Sequence, residues 1–472
     1  MKSQLKNARW LFILCFLIVE TALAEQIQVG HIAFSKGSNA AQLPDQPPRL
    51  LGKGVVVYLG DNIQTSTGSF IVILFDDGTR VTVRPNTSFS IDEYINNTDN
   101  KKAVLQLHKG GLKTRNGKIA NKEPGQYQIK TSLGTVDAQQ GEYSVRLCQK
   151  DCADEDEKSG KNPKIPKQFV MARAVEVKGS INAINKKVLK DRKRPLAFGA
   201  PIYSVDKLFS GQKSHALLAF RDGGRITLQE NSEMDISLYD FQDKKQNDKA
   251  FFSLVSGGLR AMSGKIGKID HSAYNINTPV STIGIRGTGY DLYCVGEDCK
   301  QSNSKQNKTE VQQIKKGKAN GLYSKVWEGT IVQKNAIIRT ELSAPAINYI
   351  ANEQTPPVVL KQAPVFFTKN PAIRPDKPKI DLDHVFGAVK LEGTPPGLYI
   401  DTRDGHLRIA GKNTSLNLGK NELAYIDPKG DLVRVKRIRP FQYDDSDSFL
   451  FSLLVDDEVH LGEGEDYVCV CE

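Results

Sequence analysis

The stretch of this chain best suited to chemistry is Ile283-Gly284-Ile285-Arg286-Gly287-Thr288. Its glycines free the backbone to take positive φ and to approach a ligand closely, and Arg286 presents a planar fork of donors that matches a carboxylate or a phosphate. The competing reading is architectural: glycine inside a strand pattern marks a bulge or bend, with Arg286 capping backbone carbonyls or pairing with Asp291. Arg80 and Arg225 stand at matching places after Asp77-Gly78 and Asp222-Gly223. They fit either an anion-binding face or the solvated side of a hairpin. Lys186, Lys187, Lys190, Arg192, Lys193 and Arg194 form a basic cluster suited to anionic cell-wall polymer or lipid headgroups, or to a solvated loop.

Catalysis has little to stand on. His31, His108, His215, His271, His384, His406 and His460 are scattered, with no pair at metal-ligand spacing. There is no nucleophile elbow, phosphate-binding loop or dinucleotide fingerprint, so no enzyme and no cofactor is expected. Asp444-Asp445-Ser446-Asp447 carries carboxylates but lacks the glycine and distal glutamate of a calcium loop. A glycan-cleaving enzyme would need two carboxylates facing each other across a cleft, which spacing alone does not reveal.

The remaining chemistry is sulfur. Apart from Cys15, the cysteines fall in three close pairs, Cys148/Cys152, Cys294/Cys299 and Cys469/Cys471. An even set in an exported chain favours disulfides over zinc, and no histidine stands beside any pair at ligand spacing. Loops this short would clip local turns rather than hold the fold. Export is itself read from the first 24 residues: Lys2, Lys6 and Arg9, an apolar run from Trp10 to Val19, and a close on Ala22-Leu23-Ala24. That order is a cleavable secretory leader, too short in its apolar part to span a membrane. No second span follows. Removing the leader, with its three basic side chains and Glu20, lowers the net charge from +11 to +9. The ten Asp and Glu from Phe441 to Glu472, with no Lys or Arg, form an acidic tail behind a basic body, free to solvate or to dock on basic surface.

The elements that must position these groups repeat. Residues 61–94 align without a gap on 206–239, matching Asp61/Asp206, Phe75/Phe220, Asp77-Gly78/Asp222-Gly223, Arg80/Arg225, Asn86/Asn231, Ile91/Ile236 and Tyr94/Tyr239. The second halves match more loosely, 104–119 on 252–266 and Thr131–Tyr143 on Thr278–Tyr290, so a unit of about 120 residues is duplicated. At the position of Arg286 the first copy has Gln139, so a contact made by that turn belongs in full to the second copy alone. A shorter duplication follows, 321–335 on 397–413, each leading to a Pro–aromatic element, Pro364-Val365-Phe366 or Pro440-Phe441. Short apolar β-forming runs such as Phe70–Phe75, followed by Asp-Gly turns and alternation, predict an all-β fold of roll, solenoid or sandwich type with little helix. Asp404-Gly405 and Glu328-Gly329 predict the same hairpin turn in the downstream units.

The expected order is a leader (1–24), a first β-domain (25–152), a charged exposed linker (153–167), a second β-domain (168–299), a β-hairpin unit (300–351) opening on a mobile loop at 300–318, a proline-rich linker (352–381), a repeated hairpin unit (382–440) and the acidic tail (441–472).

Two blocks together resemble the FecR domain family: D-x-I-x-T…G…F-x-D-G-T-x-V-x-x-x-P-N-T-x-x-x-I from Asp61 to Ile91, and N-T-P-V-S-T-I-G-I-R-G-T-x-Y-D from Asn277 to Asp291. The resemblance covers both long copies and implies two tandem FecR-like periplasmic domains in a Gram-negative envelope. The family's namesake senses an occupied outer-membrane iron transporter and relays that state to a sigma factor, through a cytoplasmic segment and a membrane span that this chain replaces with a leader. The expected role is a non-catalytic periplasmic binding or scaffolding protein that contacts envelope protein or cell-wall polymer, with no nucleic acid. The alternative is an exported component of a FecR-like signalling pathway.

Overall fold

In the computed structural model, residues 26–121, 125–185, 193–243, 247–296, 299 and 308–442 are described. The leader, Cys15, most of the basic cluster around Lys186, Asp444–Asp447, the acidic tail beyond Gln442, and Cys469 and Cys471 lie outside the described residues. Strands dominate, and the all-β expectation holds.

Two 15-stranded sheets repeat one plan. In the first, Phe70–Phe75 pairs with Gln28–Lys36 and with Arg80–Val83, while Ser88–Asn96 pairs with the long strand Lys101–Arg115. Tyr127–Lys130 then runs parallel to that long strand before the chain turns into Thr135–Cys148. The second sheet repeats each of these pairings from Val170–Lys178 to Thr282–Val295.

The residues shared by the two copies have definite jobs. The carboxylate of Asp77 accepts from Thr79 N and Ile119 N at 2.9 and 3.0 Å, and Tyr94 Oη accepts from Asp77 N. Asp222 repeats this with Gly224 N, Ile266 N and Tyr239. Asp61 and Asp206, both fully buried, pair with Arg49 and Arg194 and cap the nearby turn. Asn86 and Asn231 take positive φ of 54° and 51°, a conformation asparagine tolerates better than most residues.

The downstream units complete these sheets, and they do so in nested order. Gly321–Lys334 pairs along its length with Thr282–Val295 of the second sheet. Gly397–Ala410 returns across the whole intervening chain to pair with Thr135–Cys148 of the first. The second module, from Val170 to Val359, is thus inserted into the first. Leu398, Ile400, Leu407, Ile409 and Ile426 belong to the same buried core as Val29, Phe89 and Val145.

Three sequence expectations are corrected. Glu328-Gly329 and Asp404-Gly405 do not turn hairpins: each lies inside an unbroken 14-residue strand, at a bulge facing Gly287 or Gly141. A bulge and a two-residue turn both use glycine at positive φ, so the dipeptide alone does not separate them. Part of the presumed linker after Cys152 continues the helix Asp151–Ser159, held by Asp151 and Glu155 against Arg146. The described end of the presumed mobile loop is the helix Lys308–Lys316, whose Ile314 is buried among Tyr323, Tyr349 and Phe367.

Each module's outer face is closed by its Pro–aromatic element. Phe366 packs on Tyr293 and Tyr323, and Phe441 on Tyr399 with ring centroids 5.3 Å apart. Arg260 donates to Ala372 O and Arg84 to Phe441 O, so a buried guanidinium anchors each returning segment.

The modules meet through a buried polar contact. Arg173, 1% exposed, pairs with Glu422 and donates to Gly199 O and Asn417 O. Lys420 N donates to Tyr203 Oη, which leaves that hydroxyl's own proton for Nε2 of His406 at 2.9 Å. Burial, reinforced by Arg194 and Arg173, holds the His406 imidazole well below its ordinary pKa, so it is neutral when folded.

Two outcomes are expected. Truncation at residue 381 removes the partner on one edge of Thr135–Cys148, so the amides facing Gly397–Ala410 lose hydrogen-exchange protection while those of Thr282–Val295 keep theirs; equal protection in both would contradict the nested pairing. For His406, the unfolded chain takes up a proton below about pH 6.5 that the folded chain refuses, so stability falls as pH drops through 6.5, by at most ~1.4 kcal/mol per pH unit. Denaturation at pH 7.5 and 5.5 should show a smaller loss for His406→Gln than for the parent.

Candidate anion-binding groove

The long strands Thr282–Val295 and Gly321–Lys334 pair along their length except just after Arg286, where Gly287 and Thr288 stand opposite Gly329 and Trp327 then restores the register as an unpaired residue of the other strand. Gly287 and Gly329 hold positive φ of 57° and 67°, as Gln140 and Gly405 do at 56° and 81° in the first module. Thr288 stitches the bulge: its hydroxyl donates to Thr330 O at 2.7 Å and accepts from Arg286 N at 3.0 Å. Gly289 permits a close approach, since a Cβ there would fall inside the Trp327 indole. That indole donates to buried Asp291 at 3.2 Å and carries Arg374 stacked 4.1 Å above it.

These contacts turn Arg286 out to solvent. It pairs with Glu341 at 3.1 Å, with both side chains about half exposed, and not with Asp291. Asp291 faces Trp327 and Arg260 instead, and burial raises its pKa. Beside Arg286 runs a shallow groove of about 340 Å³ lined by His271, Asn275, Thr282, Lys334 and Arg339. Four groups able to carry positive charge, Arg286, Lys334, Arg339 and His271, therefore border one depression on the surface. Lys334 and Arg339 were not legible as part of it: they lie about 50 residues away and are brought alongside only by strand pairing.

The first module makes a matching bulge without those cations, though Arg408 stands there at the place of Val332. Gln139, Ala410 and Ser415 occupy the places of Arg286, Lys334 and Arg339, and Asp137 replaces Gly284. The other two predicted arginines are not in the groove. Arg225 is drawn under the proline-rich segment, donating to Pro375 O at 3.0 Å and Pro378 O at 2.9 Å. Arg80 is half-buried, across from Leu74 and Arg115, with no side-chain ion pair among the described residues.

Of the basic cluster, the described Arg194 is buried on Asp206. Cys148–Cys152 and Cys294–Cys299 are disulfides, each pair lying where a long strand ends. Among the described residues no His, Cys, Asp and Glu cluster could hold a metal, and no helix is long and apolar enough to cross a membrane.

Local stability separates structural from exposed groups. Gly289→Val should destabilise by ~1–3 kcal/mol because the indole must move. Gly284→Ala, with only ordinary contact to Val332, should stay within ~0.5 kcal/mol. Arg286→Ala should cost no more than ~1 kcal/mol, as a surface ion pair does. Denaturant unfolding of the three variants checks the order.

Comparison with curated proteins and with solved structures returns no match. The family profile described as FecR protein matches at 61–154 and again at 206–319. Those segments fall one in each module, and each includes the bulged strand toward its C-terminal end. The family is one of envelope-associated, non-enzymatic proteins with signalling-related regulatory roles. The two nested modules therefore each carry a FecR-like domain.

Proposed function

We propose that the chain is a non-catalytic periplasmic binding and scaffolding protein that engages an anionic group on envelope protein or cell-wall polymer through the groove beside Arg286. The supporting observation is the contrast between modules: on the same backbone, Arg286, Lys334 and Arg339 stand where the first copy has Gln139, Ala410 and Ser415. The bulge needs none of the three charges, because the copy that lacks them makes a matching one. Cations gathered at an exposed groove raise local anion concentration and speed encounter, at a strength that salt reduces.

Purified protein mixed with isolated cell-wall sacculi and with cross-linked envelope fractions tests the reading. Retention by either should fall at least tenfold in the Arg286→Ala/Lys334→Ala/Arg339→Ala variant and should weaken between 50 and 300 mM salt. Retention unchanged by the triple substitution would remove the groove from the function.

A second reading follows from the family: the module is the envelope-side component of a regulatory pathway. Transcription in a deletion strain, compared across envelope stresses, separates it from pure scaffolding.

A further inference from the structure

Where the two modules meet, a cleft of about 850 Å³ opens between the second module, the helix Leu382–Phe386 and the returning unit of the first. Its walls are largely apolar, among them Ile165, Phe241, Phe386, Leu416 and Val433. Its floor is not. Arg221 and Arg434 line it beside Glu422, and Arg173 lies behind them in ion-pair contact with the same carboxylate. Three guanidiniums thus share one carboxylate in a desolvated place.

The electrostatics show the imbalance. Burial, with Arg173 adding to it, lowers the Arg434 pKa to about 10 against the pull of Glu422. Arg221 is lowered likewise, chiefly by burial. On Glu422 burial acts upward, but Arg173 and Arg434 outweigh it and keep the carboxylate ionised. Arg434 is only 9% exposed; its Nη atoms reach Val385 O and Asn417 O at 3.2 Å, and its Nε has no partner. The other acids of the cleft, Asp243 and Asp383, sit at the exposed rim, with Asp243 already paired to Lys265. The floor therefore carries uncompensated positive charge beneath apolar walls, at a junction between modules, the place where ligand sites tend to form.

We propose that this cleft binds a small molecule with one carboxylate on an apolar body, its carboxylate set on Arg221 and Arg434 and its body against the Phe386 and Val433 walls. A carboxylate there supplies the missing counter-charge and can accept from the unpartnered Nε of Arg434 and from Nη1 of Arg221, whose Nε and Nη2 already donate to Val170 O and Gln168 Oε1. A neutral amphiphile would leave the floor unbalanced, and a cation would add to it. The proposal is independent of the groove at Arg286.

Calorimetric titration of the full chain with dodecanoate, below its micelle concentration, and with the acid of acetyl-Leu-Leu-Phe distinguishes a lipid-like body from a peptide end. At least one should bind with a stoichiometry of one and raise the Tm, while dodecanol, dodecyltrimethylammonium and the peptide amide bind at least tenfold more weakly. Arg434→Gln should weaken the acid at least tenfold. Because that change touches the module contact, Ala388→Trp serves as a second variant: it fills the cleft from its wall, leaves the arginines in place and should abolish binding. The Arg286 triple variant should bind as the parent does. Saturable binding of neither acid, equal binding of the uncharged analogues, or binding that survives Ala388→Trp would each overturn the assignment.

Discussion

The guanidiniums of Arg173, Arg221 and Arg434 converge on the single carboxylate of Glu422, and the relation between the two modules depends on that convergence. Glu422 comes from the last unit of the chain and Arg173 from the first strand of the inserted module. Arg173 has no second carboxylate partner among the described residues, whereas Glu422 also faces Arg221 and Arg434. Loss of one side of such a buried pair is far more costly than loss of a surface pair, ~3–5 kcal/mol against ~1 kcal/mol or less. The surrounding hydrogen bonds, from Asn417 to Phe198 O and from Lys420 to Tyr203, then fix orientation rather than supply attraction.

Nesting explains why such a contact is needed. The first module's sheet is left incomplete at Cys148, and its next strand begins only at Gly397. The inserted module must hold its place so that the returning strand meets its partner in register. The apolar residues of Gly397–Ala410 and of its neighbours lie in the first core, so folding of the amino-terminal half and of the carboxy-terminal unit are one event.

Much of each module was legible because its shared residues act locally. Asp77 and Asp222 hold turns within a few residues of themselves, Asn86 and Asn231 answer a backbone requirement, and the unbroken apolar run Phe70–Phe75 follows from a strand buried along most of its length. The disulfides followed from proximity. What sequence could not show is non-local. Nothing in Gly397–Ala410 says that it pairs with Thr135–Cys148 rather than with its nearer neighbour. The arginine fork of Arg286 could be read from its motif, whereas Lys334 and Arg339 join it only through strand register. Arg225 and Arg434 look alike as isolated arginines, and both donate to backbone carbonyls, but Arg434 also lines a cleft.

The module contact joins unlike faces of two like bodies. A head-to-tail arrangement of that kind has no built-in closure, and repeated faithfully it would grow into a fibre. The two faces left outermost have lost the means to continue it. By strand register His31 stands where the inserted module has Arg173, and Ala346 where the returning unit has Glu422. A third body arriving at either end would find neither member of the Arg173–Glu422 pair to meet it.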